Sequence, residues 1–172
     1  MLKWLSRGGL LLTGLLLGAC ACQAPVPATH PSLELPLQLH VQRRQADETL
    51  DWLLVIQQED SALRWSLLDP LGLPLARQRL EQGQWHNDGL LPSNPEAREL
   101  FAALLFALSP RAELPRLYAG LDWQAEAGQR SLDQDQRRWR VSYRQPLVFD
   151  LRLGDDLHYG VAPLAAQEDN RP

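Results

Sequence analysis

The chain has 172 residues, 45% of them hydrophobic, and a formal net charge of −4. That length supports one domain of ordinary size with a real core. The acidic balance argues against a nucleic-acid partner and against a broad electrostatic grip on anionic lipid.

In chain order, the first segment reads as a leader. Lys3 and Arg7 form a basic start, an apolar run follows from Leu10 to Leu17, and Leu17-Gly18-Ala19 leads into Cys20. A charged n-region, an apolar h-region and small residues before the cut are the anatomy of a secretory signal. The run is too short to span a bilayer, which takes about 20 residues. With cysteine in the first mature position the segment resembles a bacterial lipoprotein signal, in which the thiol of Cys20 is acylated and residues 1–19 are removed. A plain secreted protein with a cut at Gly-Ala or Cys-Ala is the alternative. Several acyl chains on one cysteine anchor firmly. Ala21 follows, where retention in an inner membrane usually takes Asp, so the resemblance implies the outer membrane, facing the periplasm.

Removal of the leader leaves 153 residues, and the loss of Lys3 and Arg7 takes the formal charge from −4 to −6. The remaining basic residues are all arginine. Cys22 reads as a free thiol. A Cys-x-Cys pair can bind metal, but four ligands are normally wanted and no histidine cluster accompanies it, so neither metal nor cofactor is expected.

Residues 20–32 then read as an acylated N-terminus and a proline-rich tether. At ~3.1 Å per residue, its last ten residues would hold a domain roughly 30 Å from its anchor. A domain over residues 33–164 follows. Leu33, Leu35, Leu37, Leu39 and Val41 share one face of an extended segment, with Pro36 marking an edge or a bend. Arg43 to Glu48 reads as a charged turn. Leu50, Trp52, Leu54 and Ile56 form the next face, with Leu53 and Val55 opposite, and residues 58–61 make a hairpin loop. Leu63, Trp65 and Leu67 alternate with Arg64 and Ser66. Asp69-Pro70-Leu71-Gly72 is a turn with proline at its second position. A strand from about Leu73 to Glu81 follows, then Gly83 and a short strand around Trp85, with Asn87-Asp88-Gly89 closing that hairpin.

The pattern changes at Asn94, which suits a helix N-cap. Pro95 suits the first helical position and Glu96 the positive helix end. The helix is expected to run to about Leu108 and stop before Pro110. Leu100, Phe101, Leu104, Leu105 and Leu108 form its apolar stripe, and the alanines between them leave little polar face, which predicts burial. Leu114 to Tyr118 reads as a second short helix. Strands resume with Trp139, Val141 and Tyr143, then Leu147, Phe149, Leu151 and Leu153. Gly154-Asp155-Asp156 turns the chain, and Leu157, Tyr159 and Val161 form the last strand. Residues 165–172 are a polar tail, expected to fray. The expected fold is therefore mainly β (α+β): a curved antiparallel sheet, or half-open barrel, with an apolar concave face covered by a helical lid.

Catalytic motifs are missing. The sequence holds no Gly-x-Ser-x-Gly elbow, no His-Glu-x-x-His and no phosphate-cradling glycine loop. His30, His40, His86 and His158 are scattered. Asp155-Asp156 reads as turn chemistry, and Arg137, Arg138 and Arg140 as the solvated face of a strand. An enzyme is not expected; convergence of distant residues into a hydrolase site is the reading that a broad esterase screen would test. The tryptophans at 52, 65, 85, 123 and 139 are equally consistent with an ordinary core and with the lining of an acyl-chain pocket.

Leu63-Arg64-Trp65-Ser66-Leu67-Leu68-Asp69-Pro70-Leu71-Gly72 resembles the strand and Asn/Asp-Pro-Leu-Gly turn of LolB, the outer-membrane receptor for lipoproteins. A hairpin with Asp88-Gly89, a helix, the Leu-Pro-x-Leu-Tyr-x-Gly-Leu segment from Leu114 to Leu121, and Arg138-Trp139-Arg140-Val141-Ser142-Tyr143 arrive in that family's order. The resemblance covers roughly Leu50 to Val161. The chain is shorter than typical LolB, and the strand at Leu147 follows Tyr143 almost at once where LolB has a longer loop. It is more similar to a family of LolB-related lipoproteins encoded near fatty-acid or aryl-polyene biosynthesis genes.

The resemblance implies a LolA/LolB-like half-open barrel whose cavity holds acyl chains, a monomer, and a periplasmic LolA-like carrier as partner. It also implies that Leu71, at the tip of its turn, inserts into the membrane during delivery; the alternative is that Leu71 folds back under the adjacent strands, and Leu73 is a substitute. The cavity residues expected are Trp52, Leu54, Trp65, Leu67, Phe101, Leu105, Trp139, Val141 and Phe149. The expected function is binding of lipoprotein or lipid acyl chains and their transfer into the outer membrane. The alternative is a non-enzymatic assembly or scaffold lipoprotein of an envelope or lipid-biosynthesis system, with a filled core.

Overall fold

The computed structural model describes residues 23–164. The leader, Cys20, Cys22 and the tail from residue 165 lie outside the described residues.

Alternating apolar residues fold into ten strands. These are β1 (Leu37–Gln45), β2 (Glu48–Glu59), β3 (Ala62–Leu68), β4 (Pro74–Glu81), β5 (Gln84–Asn87), β6 (Asp122–Glu126), β7 (Gln129–Gln134), β8 (Arg137–Gln145), β9 (Val148–Leu153) and β10 (Leu157–Pro163). Between β5 and β6 lie α1 (Pro95–Leu108), a 3₁₀ turn (Arg111–Glu113) and the single-turn α2 (Leu114–Leu117). All strands join one antiparallel sheet in the order β5-β4-β3-β2-β1-β10-β9-β8-β7-β6. The sheet is not closed: β5 and β6 are its two edges. The fold is thus mainly β, with two short helices, as the alternation and the helix signals predict.

The sheet has to curve around α1. Ten strands ~4.8 Å apart would span roughly 43 Å if laid flat. Yet residues of β1, β3, β5, β7, β8 and β10 all reach this one helix. Ala97, Leu100 and every residue from Phe101 to Ala107 are buried, so the helix is enclosed on nearly all sides. Its boundaries follow the sequence signals. Asn94 is extended, and its Oδ1 accepts from the Ala97 N–H at 3.0 Å. At the other end the Ser109 N–H donates to the Leu105 carbonyl at 3.0 Å before Pro110 stops the helix.

Several expectations are corrected. Residues 33–36 precede β1, which is a central strand; Pro36, after a cis bond, marks the bend before it. Arg43 is not in a charged turn: β1 continues to Gln45, the turn is Ala46-Asp47, and Arg43 points inward and is 8% exposed. The β4–β5 hairpin is closed by Gln82-Gly83, not by Asn87-Asp88-Gly89. Both residues have positive φ (50° and 74°), the requirement of a type I′ turn. Strands β6 and β7 carry few apolar residues and were not anticipated; only Leu132 is fully buried in them. Leu147 lies in the turn before β9.

The largest difference concerns the proline-rich segment. Residues 23–32 do not stand off as a spacer: Pro25, Pro27 and Pro31 are buried, and Ala24 and Val26 pack on the core. The Thr29 hydroxyl accepts from Arg116 at 2.6 Å, and the Ser32 N–H donates to Glu113 at 3.3 Å. A side chain at Gly83 would place its Cβ 3.0 Å from the Ala28 Cα, so this glycine serves both the turn and the strap lying against it.

Candidate functional site

The concave face of the sheet and α1 together make the interior. Leu54 on β2, Trp65 and Leu67 on β3, Trp139 and Val141 on β8 and Phe149 on β9 all point inward because each sits at an alternate position of its strand. Phe101 and Leu105 face them from α1. These eight are buried and belong to one continuous apolar cluster. Trp52 packs at its margin, half-buried, 6.1 Å from the Tyr159 ring and beneath Arg43. The structure therefore brings all nine expected residues to one place. They meet α1 there: Trp65 lies 5.4 Å from Phe101 and Trp139 6.3 Å from Phe106, ring centre to ring centre.

The described grooves lie around this interior, and of the nine residues only Val141 borders one. The most apolar of them, ≈ 580 Å³, opens beside the C-terminus of α1, between Leu33, Leu37, Leu108, Pro110 and Leu147, with Tyr143 and Arg130 on its wall. Its size is within the range of small-ligand pockets.

Polar groups hold α1 at both ends. At its start, Glu96 accepts from Arg43 Nε at 2.6 Å and from the Tyr159 hydroxyl at 2.9 Å. Arg43 also donates to Glu48 Oε2 at 3.1 Å and to Gln45. The Glu96 hydrogen bond raises the Arg43 pKa, so this guanidinium stays charged despite burial. Burial, reinforced by Glu96, likewise raises the pKa of Tyr159. At the far end no basic residue stands in the last helical turn. Arg130 of β7 supplies one: its Nη1 donates to the carbonyls of Phe106, Ala107 and Ser109 at 3.1, 3.0 and 2.7 Å, completing the orphaned carbonyls of the helix end. Arg130 also lies 5.2 Å from the Tyr143 ring, whose hydroxyl donates to the Ala107 carbonyl at 2.7 Å. Burial pushes Tyr143 up to about 12, against the pull of Arg130.

One patch of the interior is polar and unpaired. Gln78 is 1% exposed and faces Trp65 across the β3–β4 pair. Its Oε1 and the indole N–H groups of Trp65 and Trp85 have no hydrogen-bond partner, although the two indoles pack edge to face at 5.6 Å. Unmet buried polar atoms of this kind call for an explanation in the form of water or a ligand.

The Asp69-Pro70-Leu71-Gly72 turn is rigidly built. Asp69 Oδ1 accepts from the N–H groups of Leu71 and Leu73 at 2.9 and 2.8 Å, and the Asp69 carbonyl accepts from the Gly72 N–H at 3.0 Å. This fixes Leu71 at the apex with its side chain outward, 86% exposed, and Leu73 beside it, 60% exposed. Leu71 does not fold back under the strands.

Sequence reasoning missed the Arg43–Glu96–Tyr159 cluster, Gln78 and Leu90. The signal for Gln78 was present: it occupies the inward register between Ala76 and Leu80. Leu90 is fully exposed, in a loop following Gly89. Among the described residues no three His, Cys, Asp or Glu side chains converge as metal ligands, and no helix is long and apolar enough to cross a membrane. The chain matches no family model, and no curated protein matches it.

Proposed function

We propose that this chain is an outer-membrane lipoprotein, anchored through Cys20, that takes up acyl chains of a lipoprotein or lipid between its sheet and α1 and passes them to the membrane. The observation that carries the reading is the unclosed antiparallel sheet whose apolar concave face is covered by α1, a helix whose polar side chains, Glu96, Arg98 and Glu99, all lie in its first five residues. That architecture, with a Pro-Leu-Gly turn presenting an outward Leu71, supports the LolB-like assignment, and the role proposed is binding and transfer without catalysis. The groove beside the end of α1 is the natural mouth for a chain, and displacement of α1 would extend it into the interior. Burial of an acyl chain gains about 0.8 kcal/mol per CH₂, so release needs the helix to move back and the turn to meet the bilayer. A LolA-like periplasmic carrier is the partner this reading implies.

The test uses the unacylated Cys20→Ala protein. Lipid that co-purifies is identified by mass spectrometry, and an acyl fluorophore is displaced by fatty acid. Saturable displacement supports the reading; no bound lipid and no displaceable probe reject it. A second reading is favoured by the burial of eight of the nine interior residues in one continuous apolar cluster, with Trp65 and Trp139 packed against α1. In that reading the core is permanently filled and the domain is an assembly or scaffold lipoprotein that docks a partner by its outer surface. Recovery of a defined complex without lipid would select it.

A further inference from the structure

Strand direction sorts the connections of this sheet into two ends. One end carries the β1–β2, β3–β4, β7–β8 and β9–β10 turns and the start of α1; the other carries the β2–β3, β4–β5, β6–β7 and β8–β9 turns and the end of α1. Leu71 and Leu73 are at the first end. Leu90 is at the same end, because the Asp88 N–H donates to the Arg77 carbonyl at 2.9 Å and so sets the exit from β5 beside the start of β4. The three most exposed large apolar side chains of the described residues are thus gathered at one corner.

The N-terminal strap enters the domain at that same end. The Gln23 carbonyl accepts from Arg137 at 3.3 Å, and Arg137 opens β8 at the β7–β8 turn. From there the strap runs past Gln84, Trp85 and Arg98 to reach Gly83 at the opposite end. Cys20 precedes Gln23 by three residues, a span of at most about 11 Å.

We infer that the leucine corner lies directly against the bilayer that holds Cys20, with Leu73 and Leu90 inserting beside Leu71, and that the bound strap and short anchor fix this orientation. The inference rests on the acylation of Cys20. Acidic residues in the other turns of this end, Asp47, Asp135, Asp155 and Asp156, disfavour contact there with an anionic surface, whereas the β3–β5 corner makes its contact through apolar side chains and needs no anionic lipid. The groove beside the end of α1 then faces away from the membrane, toward arriving cargo.

The experiment uses the full, lipidated chain in a Cys22→Ser background, with Leu73→Cys, Leu90→Cys or, at the opposite end, Ala127→Cys. Each is labelled with an environment-sensitive fluorophore and reconstituted in phosphatidylcholine vesicles containing a nitroxide lipid. Labels at 73 and 90 are expected to be quenched several-fold more than the label at 127. A flexible spacer of about fifteen residues inserted before Gln23 reaches roughly 20 Å and is expected to reduce quenching at 90. Equal quenching at all three positions in firmly bound protein overturns the inference alone, and unchanged quenching with the spacer overturns the part played by the short anchor. Protein that does not stay with the vesicles refutes the acylation reading, and this inference with it, while leaving acyl-chain binding to be judged by probe displacement.

Discussion

Glu96→Gln removes the charge that ties the start of α1 to the sheet. Arg43 is only 9% exposed along its side chain, while Glu96 is 40% exposed. The substitution weakens the 2.6 Å and 3.3 Å hydrogen bonds from Arg43 and the 2.9 Å bond from Tyr159. A hydrogen bond to a charged group contributes about 1.5–3 kcal/mol. Gln keeps an acceptor oxygen, Glu48 remains beside Arg43, and solvent screens part of the pair, so the expected loss is about 1–2 kcal/mol. For a domain of this size that lowers the melting temperature by roughly 2–8 °C. If α1 moves to admit acyl chains, the same energy favours the open form, and exchange of a bound acyl fluorophore quickens by roughly 5–30-fold. Calorimetry and stopped-flow fluorescence read the two effects. An unchanged melting temperature would show that the pair does not hold the helix. A lowered melting temperature with unchanged exchange would show that the start of α1 takes no part in uptake.

Leu71→Glu should leave stability within about 0.5 kcal/mol, since the side chain is outward and the turn is held by backbone donors to Asp69. It should slow transfer of bound probe to liposomes, and an unchanged rate would reject the role given to that turn. Gln78→Leu removes an unpaired buried acceptor and should raise stability by about 1 kcal/mol while weakening probe binding if its amide meets a polar part of the cargo; a destabilised variant would show the amide to be satisfied. All three tyrosines of the chain, Tyr118, Tyr143 and Tyr159, are held above their ordinary pKa chiefly by burial. The folded state thus keeps its phenolic protons longer than the unfolded chain. This contribution is complete below about pH 10 and is lost as pH rises through the folded values, which for Tyr143 is about 12. Phenolate absorbance should therefore appear only together with unfolding; a tyrosine titrating near pH 10 in folded protein would contradict the burial assigned to it.

Local chemistry made parts of this fold legible. Asn94 and Pro95 announced α1 to the residue, and its alanines and leucines announced its burial. The inward faces of β2, β3, β8 and β9 followed from simple alternation, which is why the nine interior residues converge. What stayed hidden depends on distant partners. Arg43 looked like part of a solvated turn because its counter-charge lies 53 residues away, on α1. Strands β6 and β7 carry a weak apolar signal because they end the sheet at its open edge, where Trp123 and Ala125 are only half-buried. The strap at residues 23–32 has the composition of an extended spacer, and distant residues such as Gly83, Glu113, Arg116 and Arg137 form the surface that receives it. Leu71 was legible as a turn apex; its exposure came from the Asp69 hydrogen bonds, which sequence does not display.

The central claim is that an acyl chain enters between α1 and the sheet. Trp65 and Trp139 are fully buried at that contact, so titration of the unacylated protein with a brominated fatty acid reads it directly through tryptophan fluorescence. Saturable quenching that an unbrominated acid of the same length reverses is the expected result; tryptophan emission that stays unquenched through the titration would contradict entry at that contact.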